Sequence, residues 1–108
     1  METLDQGDII SLEFDPQAGH EQRGRRPAIV ISSKQFNQFT KMAIVCPITN
    51  TNRNYPLHLK LDTRTKTQGV ILCEQLKSLD IYARKAKLIE KLPNDLLEEL
   101  LDIVSGFY

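Results

Sequence analysis

The apolar residues of this chain come in short runs of strand length, each ended by a polar or proline-bearing turn. Pro27-Ala28-Ile29-Val30-Ile31-Ser32 is continuous enough for a strand buried on both faces, and Met42 to Ile48 reads the same way. Ile9 to Phe14 alternates instead, with Ile10, Leu12 and Phe14 inward and Ser11 and Glu13 outward, until Asp15-Pro16 ends it. Leu57 to Leu61 alternates too, with His58 expected on its exposed face. Gly69 to Leu72 and Glu74 to Leu79 continue the strand pattern with a bend between them, and residues 83–92 leave a further short strand open. Ser33 is expected to cap one helical turn carrying Phe36 and Phe39, with Phe36 turned to the core. Only near residue 94 does the period change. Leu96, Leu97, Leu100, Leu101 and Val104 form one helical stripe, with Asn94 as the expected cap and Gly106 as the stop. Asp95, Glu98 and Glu99 suit the positive end of that helix. Five to seven short strands and one closing helix predict a mainly-β fold with some α, a small, partly open β-barrel ending in a C-terminal helix.

With 108 residues, the chain is expected to be a single domain over 1–108, too small for two domains with a large cleft between them. No apolar run approaches the ~18–20 residues of a membrane span, and Met1 to Gly7 is polar and acidic, unlike a secretory signal. The expected location is the cytoplasm, with no membrane partner. Cys46 and Cys73 lie inside apolar runs and read as buried thiols. A zinc site built from them with His20 and His58 has no support in the spacing, and no metal or other cofactor is expected.

The 14 basic and 14 acidic residues cancel overall but are segregated along the chain. All 14 Lys and Arg lie within residues 23–91, beside four acids, whereas residues 1–22 hold six acids and residues 92–108 hold four. A basic middle between acidic ends could form a polyanion-binding face without a high pI, or folding could mix the charges over the surface.

The chemistry concentrates in residues 15–27, where Glu21, His20 and three arginines precede the Pro27 strand. Pro27 restricts Arg26 to an extended conformation where loop becomes strand, so its planar fork of donors is held ready for a phosphate.

Gly7-Asp8-Ile9, then Asp15-Pro16, then Gly19-His20-Glu21-Gln22-Arg23-Gly24-Arg25-Arg26-Pro27 resembles the opening signature of the MazF/PemK toxins, with His20 where that family usually carries Ser. Pro47-Ile48-Thr49 and the block from Gly69 to Asp80 resemble later family motifs, in order and at matching spacing. The resemblance implies a barrel of the Src-homology-three type, a two-fold homodimer, and the endoribonuclease toxin of a type II toxin–antitoxin pair. Such toxins cut single-stranded RNA, chiefly mRNA, sequence-specifically at short motifs and without a metal, leaving a 2′,3′-cyclic phosphate and a 5′-hydroxyl. It places the catalytic Arg on Arg26, the catalytic Thr on Thr49 and the loop Glu on Glu21.

That assignment suits the reaction. Transesterification needs a base for the ribose 2′-OH, donors for a developing phosphorane dianion and a proton for the leaving oxygen. Arg26 suits the second task. Guanidinium is a poor base, so Glu21 or His20 is the better candidate for the first, although Glu21 could instead only orient Arg26. His20, Gln22, Gln75, Lys77 and Arg84 are candidate RNA contacts, and Tyr55, Tyr82 and Phe36 candidate stacking platforms. The expected partner is an antitoxin whose acidic, disordered C-terminal segment folds along the basic groove and competes with RNA. The alternatives are a non-enzymatic gyrase poison of the CcdB type on the same fold, or an inactive RNA- or protein-binding barrel.

Overall fold

The computed structural model describes residues 3–13, 25–50 and 57–107. Seven strands and two helices follow in order among them: β1 (Asp8–Glu13), β2 (Arg25–Val30), α1 (Lys34–Thr40), β3 (Met42–Thr49), β4 (His58–Lys60), β5 (Val70–Leu72), β6 (Lys77–Asp80), β7 (Lys87–Lys91) and α2 (Asn94–Ser105). The sheet is antiparallel at every pairing and runs β4-β5-β3-β2-β1-β7, with β6 beside the first half of β3. The expected mainly-β architecture with a C-terminal helix is the one found. β3 is the hub because Ala43, Val45, Cys46 and Ile48 bury both of its faces, so it carries neighbours along both edges.

Two apolar clusters follow from this. Ile9, Ile29, Cys46, Ile48 and Ile71 meet Leu96, Leu100 and Val104 of α2 on one side. Ile10, Leu12, Ala28, Val30 and Val45 lie on the other, closed by Leu4, Ile81 and Ala86. Ile9 and Ile10 are thus both fully buried, and from Ile10 the strand alternates as expected, with Leu12 buried and Ser11 and Glu13 half-buried, while Phe14 lies outside the described residues. Asn37 is the polar hub of α1. Its side-chain amide donates to the carbonyls of Leu4 (2.8 Å) and Ser32 (3.3 Å), and it accepts from the Ser32 hydroxyl.

Three local expectations change. Ser33 caps α1 by accepting from the Phe36 amide (3.2 Å), but Phe36 and Phe39 both lie at the surface, Phe39 being 89% exposed. The turn buries Asn37 instead, so this short helix docks through a polar side chain. Helix α2 starts one residue early: Pro93 is its N-cap and offers no side-chain acceptor, while Asn94 is already helical. Gly106 ends α2 as expected, though in right-handed helical conformation (φ −71°). His58 is not an exposed-face residue. Its side chain is 6% exposed, and Nε2 lies 3.2 and 3.3 Å from the two carboxylate oxygens of Glu74.

Candidate active site

Arg25 and Arg26 are neighbours in sequence and opposites in structure, because successive residues of a strand point to opposite faces. The Arg25 guanidinium is held within the fold: it donates to the Ser11 hydroxyl (3.0 Å) and to the carbonyls of Ser11 (2.9 Å) and Lys85 (3.0 Å). Glu13 lies 3.7 Å away. Arg26 is exposed, on the face of β2 that also carries Ala28.

Register carries that face across the sheet. Leu12 of β1 pairs with Arg26, and Ala28 of β2 pairs with Pro47 of β3. Two residues beyond Ala28 and Pro47, on the same faces, stand Arg26 and Thr49. Thr49 in turn pairs with Val70 of β5, and Val70 with Lys60 of β4. A row Arg26–Thr49–Val70–Lys60 thus shares one face, paired strand to strand from Thr49 to Lys60 and carried from Thr49 to Arg26 by alternation beyond the last β2–β3 pair, Ala28–Pro47. It sets a guanidinium on one side of a threonine hydroxyl and an ammonium on the other.

Gly69 makes the close pairing of β3 and β5 feasible. Its φ is +124°, which side chains other than glycine's rarely adopt, and an added Cβ would run into the Thr49 carbonyl oxygen. Beside this pair lies an open groove of about 680 Å³ whose lining includes Asn50, Lys60, Leu61, Gln68 and Val70. Its outer wall, the segment between β4 and β5, is tied down twice. Arg64 bridges Asp62 and Asp95 through bonds of 2.8–3.2 Å, and Glu90 accepts from the backbone N–H of Lys66 (3.0 Å) and Thr67 (2.8 Å) and from the Thr67 hydroxyl (2.9 Å). Hydrogen bonds from Arg64 hold the Asp62 and Asp95 carboxyls below the usual range. Burial works to raise Glu90, but the hydrogen bonds from Thr67 and Lys66 outweigh it and keep that carboxyl low as well. A smaller groove of about 460 Å³ lies at the other end of β1, where Lys91 pairs with the buried Asp8 at 2.7 Å.

The remaining candidates separate. Gln75 and Lys77 are exposed on the bend after β5 and the start of β6. Lys77 pairs with Val45, which puts it on the same face of the sheet as Thr49, two alternations further along β3. Arg84 is partly buried and donates to the Glu13 carbonyl (3.0 Å), bracing the end of β1. His20, Glu21, Gln22 and Tyr55 lie outside the described residues. Tyr82 is exposed, with the Lys41 ammonium 6.0 Å from its ring centre. Cys46 and Cys73 are buried thiols, and burial pushes them up to about 12 and about 11. No helix among the described residues is long and apolar enough to cross a membrane. Sequence reading passed over Lys60, Arg64, Gln68 and Glu90. The alternation of residues 57–61 places Lys60 beside His58, but only strand register joins it to Thr49.

Residues 5–107 match the family described as PemK-like, MazF-like toxin of type II toxin–antitoxin systems. The chain belongs to this family of toxin endoribonucleases. It is 34% identical over 106 residues to Endoribonuclease PemK of Escherichia coli, covering 94% of this chain and 80% of that one. It is 38% identical to Endoribonuclease toxin ChpB of Escherichia coli K12, over 91% and 88% of the two chains. A chain of the MazE–MazF crystal structure from Deinococcus radiodurans superposes with a TM-score of 0.89 at 33% identity, over 98% and 96% of the two chains.

Proposed function

We propose that this toxin cuts single-stranded RNA by metal-independent transesterification, with Arg26, Thr49 and Glu21 as its catalytic groups. The observation that carries the reading is the row across the sheet, which puts an exposed guanidinium and a hydroxyl on one face of two adjacent strands. A phosphodiester laid over β2 and β3 meets Arg26 at its non-bridging oxygens, where developing negative charge is neutralised without a cation. The Thr49 hydroxyl donates to the same phosphate. Glu21 takes the proton from the 2′-OH, that oxygen bonds to phosphorus as the P–O5′ bond breaks, and the leaving 5′-oxygen takes a proton from water. The products are a 2′,3′-cyclic phosphate and a 5′-hydroxyl. His20, Gln22, Gln75 and Lys77 contact the RNA to either side, while Arg84 holds the end of β1.

The partner reading follows from the same face. An antitoxin with an acidic, disordered segment would lie along the row, exchanging carboxylates for phosphates, and would compete with RNA. Its location is the cytoplasm, where mRNA is. A homodimer is favoured by the apolar surface that one copy leaves open, including Phe39 on α1 and Leu88 and Ile89 on the edge strand β7.

The test is cleavage by Arg26→Ala and Thr49→Ala. Each is expected to lower the rate at least ~10²-fold, in line with losing a transition-state donor, at unchanged melting temperature. Wild-type rates in either variant would remove that residue from the site.

A further inference from the structure

The groove beside Thr49 has features of a base-reading site. Its floor is apolar, since Leu61 and Val70 are buried and their side chains offer no hydrogen bonds. Its rim is polar and exposed: Asn50 and Gln68 carry amides, Thr63 a hydroxyl and Lys60 an ammonium. Among the described residues of the lining the carboxylate is Asp62, which Arg64 binds through both oxygens, so that its lone pairs are engaged by a cation rather than turned to the groove. The volume, about 680 Å³, lies within the ~300–1,000 Å³ usual for small-ligand pockets. Its wall is fixed before any ligand arrives, because Glu90 and Asp95 fasten the segment from Asp62 to Thr67 to β7 and α2. Preorganised polar groups around an apolar floor suit an unstacked base, whose ring covers the floor while its edge meets the amides.

Position ties the groove to the reaction. Val70 is one strand from Thr49, and the Asn50 side-chain oxygen lies 3.2 Å from where a Cβ on Gly69 would stand, at the junction of groove and row. A chain whose phosphate sits over Arg26 and Thr49 has its next nucleotide over Val70. Lys60, the next member of the row, then meets the following phosphate.

We propose that this groove binds the base of one nucleotide flanking the scissile phosphate, and that Gln68 and Thr63 read its edge, so that they set the sequence preference of cleavage at that position. The assignment rests on the endoribonuclease reading above. An amide offers a donor and an acceptor side by side, the pairing that distinguishes one base edge from another.

The experiment digests a mixed-sequence RNA with wild-type protein, Gln68→Ala and Thr63→Ala, and maps every cut by sequencing the new 5′ ends. Wild type should show a preferred base within two nucleotides of the cut on the groove side. At least one variant should relax that preference about tenfold at that position alone, with the rest of the motif and the cyclic-phosphate ends unchanged. A merely structural role would lower all cuts together and leave the motif intact. Unchanged motifs in both folded variants overturn the proposal, as does a relaxation spread over every position. Wild-type protein that cuts no RNA removes the function itself, and the subsite with it.

Discussion

Arg25 and Arg26 show how one residue of offset separates a guanidinium held inside the fold from one left exposed on the face of Thr49. Removing Arg25 strips hydrogen bonds from the Ser11 hydroxyl and from the carbonyls of Ser11 and Lys85. Arg25→Ala is therefore expected to lower unfolding stability by about 1–3 kcal/mol in urea titration. Arg26→Ala should leave that titration unchanged and show its loss in cleavage. The reverse pattern would exchange their roles. The sequence singles out Arg26 as the catalytic candidate, because Pro27 restricts its conformation and the family motif places it. What Arg25 does is not legible there, since its partners come from β1 and the turn before β7. His58 was misread for a related reason: alternation predicts a face, but not that Glu74 lies over that face. Cys46 and Cys73 were legible from their apolar neighbours. Burial raises both thiols to about 12 and about 11, so neither should react with a thiol reagent at pH 8 until denaturant is added. Rapid labelling of native protein would contradict their burial.

At the scale of elements, the strands were legible and the connections less so. Short apolar runs bounded by turns marked β1 to β5, and the bend between β5 and β6 fell where Cys73 to Leu76 turn. The start of α2 was off by one residue because Asn94 looks like a cap, whereas Pro93 occupies that position and Asp95 is engaged by Arg64 from another segment. Such long-range ties leave no periodic mark in sequence. Gly69→Ala tests the closest of the connections. With φ at +124° and the Thr49 carbonyl in the way, the substitution should cost about 1–3 kcal/mol in stability and depress cleavage by displacing Thr49. Wild-type behaviour would mean that β3 and β5 can separate there at no cost. Glu90 gives a pH dependence. Its carboxyl is lower in the folded chain than its ordinary value of 4.5, so its contribution is complete above that value and disappears as pH falls through the lower, folded value. Amide exchange at Lys66 and Thr67, corrected for the intrinsic pH dependence, should lose protection across that acidic range. In Glu90→Gln the protection should be weak at every pH, and an acid-insensitive wild type would contradict the anchor.

For the whole molecule, the segregation of charge along the chain acquires a spatial meaning. The acids of α2 and the end of β7 are partly used inside the fold, with Asp95 on Arg64 and Glu90 on the segment between β4 and β5. Arg26 and Lys60 remain exposed on the face that holds Thr49. A chain with a formal net charge of zero can in this way present basic side chains on one face to a polyanion. The proposed cleavage of RNA by Arg26, Thr49 and Glu21 needs no metal ion. Its most direct measurement is incubation of the purified protein with a long single-stranded RNA in excess EDTA, followed by analysis of the fragment ends. Cleavage should be undiminished, with 2′,3′-cyclic phosphates on one side of each cut and 5′-hydroxyls on the other. Activity abolished by EDTA and restored by a divalent cation, or fragments carrying 5′-phosphates, would contradict it.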